Sequence, residues 1–164
     1  RSTQGVSSAA SDVYKRQFEY RAAGADEPLP SGIGPGTPVL SVHIPSDARL
    51  SDDALPGSYG QADEFFALHG PALCKSGMPR AVLCGTWLLS PALRALLSPD
   101  SGISRFGRDY NIYAADTDSE SFYLWLFGGK KPLALLPRQT SLQRAVAAHL
   151  EQGGYIGSGY GIKK

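Results

Sequence analysis

The closing stretch of the chain, Thr140 to Gly161 (TSLQRAVAAHLEQGGYIGSGYG), specifies a helix, its stop and the strand that follows. Thr140 is placed to accept a hydrogen bond from the free amide of Gln143 while the Gln143 side chain reaches back, which satisfies two helix-start donors at once. Leu142, Ala145, Val146 and Leu150 recur at helical spacing, so one face is apolar and requires a partner. Gly153 suits the left-handed conformation that closes a last turn, and Tyr155 to Ile162 alternates large and small residues as a strand does. A helix feeding a terminal strand implies an α/β or α+β domain, and the stop needs no residue beyond the glycine pair.

Upstream, Phe18 to Arg21 reads as a short amphipathic strand. Ala22 to Pro38 is dominated by glycine and proline, and reads as a linker or a long surface loop. PVLSVHIP (Pro38 to Pro45) is a strand with Leu40, Val42 and Ile44 on one face and Val39, Ser41 and His43 on the other. Pro45 stops it. A kinked or two-part helix is expected from Ser51 to His69, because Pro56-Gly57 interrupts any helix begun at Ser51 and a second start falls at Ser58. Arg80 to Leu89 (RAVLCGTWLL) is apolar almost throughout, as in a strand buried on both faces. Ser90-Pro91 then starts a short helix through Leu97. Ile103 to Tyr113 is read as one or two strands with a bend near Gly107, and Asp118 to Phe127 as a helix ended by Gly128-Gly129. There is no internal repeat.

At 164 residues, with 42% hydrophobic and 19% charged residues, the chain suits one soluble domain with a real core. No apolar run approaches a membrane span, so an integral membrane protein is excluded at this stage. Cys74 and Cys84 are the two cysteines and show no metal-ligand spacing, so no structural metal or disulfide framework is expected and a reducing cytoplasm is the default. The net charge of +1 is unevenly distributed. Residues 1–17 carry Arg1, Lys15 and Arg16 against Asp12, a net +2, which leaves 13 basic and 14 acidic residues in the remainder. No basic stripe is left for a phosphate backbone, which argues against nucleic acid.

Residues 1–17 (RSTQGVSSAASDVYKRQ) are Ser/Ala-rich and lack the apolar core of a signal peptide. The string SSAASDVYKRQ resembles translated adapter read-through at the ends of metagenomic gene fragments. On that reading the native sequence begins near Phe18 and its upstream part is missing; a genuine disordered arm is the other reading. The arm is set aside from the fold in either case.

Several residues carry candidate chemistry. Ser41 and His43 share one strand face, and a histidine at a strand's C-terminal end lies where open α/β sheets place reactive groups. The plainer reading is a histidine satisfied by backbone at the sheet end. As a hydrolase the pair lacks an acidic group to orient the imidazole. Cys84 is expected to be an inert buried thiol, since desolvation suppresses the thiolate. Trp87 is a core anchor or, less simply, the wall of an acyl pocket. His149 and His69 sit at helix ends and read as structural. Asp116, Asp118 and Glu120 lack the spacing of a calcium loop and read as a solvated turn. Gly157, Gly159 and Gly161 precede no helix, so they do not form a phosphate cradle; they read as positions where another backbone comes close.

Taken in order, TPVLSVHIPSDARL, QADEFFALH, LCGTWLLSP, LLSPDSGISRF and LPRQTSLQRAVAAHLEQGGYIGSGYGI resemble the GNAT-like C-terminal domain of bacterial two-part acyltransferase-domain proteins, over about Phe18 to Ile162. The resemblance implies an α/β (α+β) fold with a mixed, twisted sheet flanked by helices, in which two adjacent parallel strands, Val39 to Ile44 and Ala81 to Leu89, splay apart to admit the pantetheine arm of an acyl donor. It implies an acyltransferase that moves an acyl group from a thioester to an amine or similar acceptor. Within it Val39, Leu40, Ser41, Val42 and Trp87 would contact the donor, His43 would be base or contact, and Tyr110 the acid. Residues 18–164 would form the C-terminal domain and an N-terminal domain of the same polypeptide would be its partner. The usual Gln/Arg-x-x-Gly-x-Gly/Ala phosphate loop is replaced after Ile44 by Pro45-Ser46-Asp47-Ala48-Arg49-Leu50, which counts against acyl coenzyme A as the donor and leaves another acyl thioester carrier, or no donor at all, as alternatives. A catalytically silent scaffold domain supporting the N-terminal part is the alternative.

Overall fold

The computed structural model describes residues 18–44, 54–73 and 75–164. Among them five strands form one mixed sheet in the order β1-β2-β3-β5-β4, with five helices, an α+β architecture. The chain divides into two compact units, one running through Cys84 and including Lys163, the other comprising Gly85–Ile162 with Lys164. The readings of residues 1–17, of Pro45, of a start at Ser51 and of Cys74 fall outside the described residues.

In the first unit β1 (Phe18–Ala22) pairs antiparallel with β2 (Pro38–Val42) in unbroken register from Phe18 opposite Val42 to Ala22 opposite Pro38. The Gly/Pro stretch between them is therefore the loop of a hairpin and not a linker. Its ends are tied by Ala23 N–H donating to Thr37 O and Gly36 N–H to Ala23 O, both at 2.8 Å. Strand periodicity puts Phe18, Tyr20, Leu40 and Val42 on one face. That face packs on α1 (Ala54–Leu73), where Ala62 and Phe66 are buried and Tyr59 and Phe65 partly so. The Phe18 ring meets Tyr59 edge-on at 6.0 Å.

The helix α1 runs unbroken where a kink at Pro56-Gly57 was expected. Pro56 falls in its first turn, where the amide it lacks would have had no intrahelical acceptor.

β3 (Val82–Thr86) is shorter than the expected strand. Thr86 ends it: its hydroxyl accepts from Leu88 N–H at 3.3 Å and caps a 3-10 turn over Trp87–Leu89. In the second unit Ser90 then caps α2 (Pro91–Leu96), accepting from Leu93 N–H at 3.1 Å with proline at the first helical position.

The segment read as strands from Ile103 begins instead with α3 (Gly102–Arg108), and only Tyr110–Asp116 is strand, β4. The Ser101 hydroxyl accepts from Ser104 N–H at 3.1 Å, a helix cap that loose alternation of apolar residues had obscured. α4 (Ser121–Phe127) ends at Gly128, whose φ of 72° makes it the left-handed cap. α5 (Ser141–Glu151) carries the full reciprocal cap between Thr140 and Gln143, and Gly153 closes its end with φ 80°.

β5 (Ser158–Lys163) explains the glycines that precede and enter it. A Cβ on Gly159 would stand 2.2 Å from the Leu89 carbonyl oxygen, and one on Gly157 would stand 2.4 Å from that of Asp116. Backbone approaches that close exclude any side chain.

Candidate functional site

The functional residues expected on β2 fall in two environments. Val39 and Leu40 are buried, and Ser41 is only 6% exposed. Strand alternation turns Ser41 toward the face opposite α1, where β1 presents Glu19 directly across and Arg21 two residues on. The Arg21 Nε–H donates to Ser41 Oγ, while its Nη2–H donates to Glu27 Oε2 at 2.7 Å. Gly24 N–H also donates to Glu27. Hydrogen bonding from Arg21, with lesser help from the Gly24 amide and against some desolvation, holds the Glu27 carboxyl below its ordinary value. This network ties the Ala22–Pro38 loop to the strand and engages the Ser41 oxygen as an acceptor.

His43 lies just past the end of β2. Its Nε2 is 2.8 Å from Glu19 Oε2, and both side chains are more than half exposed, at 59% and 57%. The carboxylate can only accept, so Nε2 is the donor of this pair. Glu19 is the residue that sequence reasoning missed. Its partnership with His43 depends on the register of β1 against β2, and a loop of that length leaves the register unspecified.

Adjacent to β2, β3 runs parallel, with recorded pairs at Leu40–Val82 and Ser41–Leu83. The pairing begins with Arg80 N–H donating to Pro38 O and Leu40 N–H donating to Ala81 O, both at 2.9 Å. The last recorded pair is one residue short of the end of β2, and past it the Cys84 thiol donates to the Val42 carbonyl at 3.6 Å. Cys84 is 2% exposed, and burial pushes its thiol up to about 12. It is a packing residue, as expected.

The remaining candidates lie in the second unit. Trp87 opens the 3-10 turn and is buried. Tyr110 is the first residue of β4, buried, with its ring 5.1 Å from that of Phe106. His149 Nε2 donates to the Tyr155 carbonyl at 3.0 Å, and Gly154 leaves the room for it, since a Cβ there would be 2.3 Å from that nitrogen. In the first unit the exposed His69 ring packs on Phe65 at 4.8 Å. Asp116 accepts from the Asp118 amide at 3.0 Å and Glu120 pairs with Lys130 at 2.6 Å, so both carboxylates serve a turn and a surface pair. Among the described residues no group of three or more His, Cys, Asp or Glu side chains could hold a metal ion, and no helix is long and apolar enough to cross a membrane.

A mixed sheet with a hairpin edge and a helical crossover to a parallel neighbour defines the class, a GNAT-like acyltransferase fold. The chain belongs to the family of the GNAT-like C-terminal domain, whose model matches residues 13–163. It is similar in structure to an acyltransferase solved in complex with decanoyl-CoA, with a TM-score of 0.71 and 29% identity over 90% of this chain and 44% of the other. An acyltransferase in complex with decanoyl-CoA and teicoplanin gives the same TM-score of 0.71 at 28% identity, covering 90% of this chain and 45% of that one. An acyltransferase mutant in complex with octanoyl-CoA is similar at TM-score 0.71 and 27% identity, again over 90% and 45%. The chain thus spans less than half the length of these solved acyltransferases. No curated protein sequence matches it.

Proposed function

We propose that this domain is the C-terminal half of an acyltransferase that takes an acyl group from acyl coenzyme A and delivers it to an amine or similar nucleophile, with an N-terminal domain as its partner. The observation that carries the reading is the end of the parallel ladder: the last recorded pair between β2 and β3 is Ser41–Leu83, and β2 then gives way to His43 and Ile44. Val39 to Ser41 are engaged by β1 and β3, so a donor's pantetheine amides would meet the backbone beyond the last pair, past Val42, as an extra strand does. The similarity to acyltransferases bound to decanoyl-CoA and octanoyl-CoA supports a coenzyme A thioester as donor. Trp87 and Tyr110 remain proposals as acyl wall and acid, and their burial favours packing roles.

The reaction would bring the acceptor nitrogen onto the thioester carbon, forming C–N and breaking C–S. The developing oxyanion would be met by backbone amides, the acceptor's proton would pass to His43 Nδ1, and the thiolate of coenzyme A would leave. Glu19 would hold the imidazole in the tautomer that keeps Nδ1 basic. A scaffold role has one feature in its favour, the absence of glycine from Pro45 to Leu50, where the superfamily places its phosphate loop.

The test combines binding with turnover. Decanoyl-CoA should raise the melting temperature of the chain, because a ligand selective for the folded state stabilises it as its concentration exceeds Kd. In the protein joined to its N-terminal partner, His43→Ala should lower kcat by about 10²-fold or more, the usual contribution of a positioned base. Glu19→Gln should lower it less. Unchanged turnover in H43A would remove the base assignment, and no melting shift with any acyl-CoA would leave the scaffold reading in place.

A further inference from the structure

The second unit contains a groove of about 490 Å³ that the acyl-transfer reading does not use. Its walls include Pro91, Leu97 and Pro99, and its polar lining is Arg94 from α2 with Ser104 and Arg108 from α3; no carboxylate lines it. Arg21 is engaged with Glu27, Arg138 with Glu151, Arg144 on the carbonyls of Arg138 and Gln139, and Arg105 on that of Asp100, while the exposed Arg80 lies outside the groove. Arg94 and Arg108 have no ion-pair or side-chain hydrogen-bond partner among the described residues.

The groove is also shaped around one of them. A glycine inside a helix costs about 1 kcal/mol relative to alanine, yet α3 has Gly107 at a buried position. A Cβ there would stand 3.2 Å from Arg94 Nε and 3.4 Å from its Cδ and Cζ. The bare backbone lets the half-buried Arg94 lie against α3 at Gly107, in the groove that Arg108 also lines.

We propose that this groove binds an oxyanion, phosphate or carboxylate, carried on a short apolar body. Two guanidinium groups offer paired N–H donors in the geometry such oxygens accept. The proline and leucine walls would take the apolar portion. This site is independent of the acyl-transfer reading and would survive its failure.

The test is calorimetric titration of the 164-residue chain with inorganic phosphate, hexanoate and hexyl phosphate at ionic strength matched with sodium chloride. Saturable binding is expected, tighter for hexyl phosphate than for phosphate alone, and the comparison with hexanoate separates the two headgroups. Arg108→Gln, at an exposed side chain, should leave the melting temperature unchanged and weaken binding about tenfold, as expected for one charge-assisted contact. Gly107→Ala should weaken it also by displacing Arg94. No saturable binding beyond the chloride control, or binding by R108Q equal to that of the parent, would overturn the proposal.

Discussion

Replacing Gly159 with alanine tests the close packing on which the second unit depends. The new Cβ would stand 2.2 Å from the Leu89 carbonyl oxygen, 2.6 Å from its carbonyl carbon and 3.1 Å from its Cβ. An unstrained carbon–oxygen contact is about 3.3 Å, so the two segments would have to separate by ~1 Å. The obstacle is backbone, so no flexible side chain can swing away. Leu89 is fully buried and precedes Ser90, which caps α2 and also donates its hydroxyl proton to the Ile156 carbonyl. Moving Leu89 therefore strains a helix start and a second cross-link together. Overpacking costs about 1–3 kcal/mol, and an immovable neighbour puts this case near 3. For a chain of this size that corresponds to a fall of about 6–12 °C in melting temperature. The assay is thermal melting followed by circular dichroism, with Gly34→Ala as control. Gly34 has nothing within 4 Å of its would-be Cβ, so alanine there should be neutral or slightly stabilising. A G159A protein melting within about 1 °C of the parent would refute the reasoning.

Two further outcomes follow from groups whose protonation the fold perturbs. Cys84, with its thiol pushed up to about 12 by burial, should resist alkylation at pH 8 in the native protein and label readily in denaturant, as read by peptide mass spectrometry. Labelling at equal rates in both states would contradict the burial. Glu27 lies below its ordinary value of 4.5, so its contribution to stability is present above that pH and is lost as pH falls through the lower folded value. Glu27→Gln should destabilise by about 1 kcal/mol at pH 7, discounted for partial exposure, and flatten the acid limb of a stability–pH profile. An acid limb identical to the parent's would disprove the Arg21–Glu27 linkage.

The boundary between what could and could not be read from sequence follows the range of the interactions. The α5 cap, the Ser90-Pro91 start and the Gly153 stop were legible because each is decided within four residues. The α3 helix was misread because Ile103 and Phe106 fit two periods at once, and the deciding cap, Ser101 to Ser104, is a single hydrogen bond. Pro56 looked like a break only because its position within the helix was unknown; counted from Ala54 it falls where proline is tolerated.

Local patterning by itself determined the alternation of β2, the inert burial of Cys84 and the reason for glycines around β5, since each depends on a neighbour's bulk or on strand geometry alone. Only tertiary structure decided that Glu19 faces His43, that Arg21 engages Ser41, and that Arg94 rests against Gly107. Those pairings join residues from separate elements, and they exist only once chain folding has set a register and a packing distance that no short window of sequence encodes.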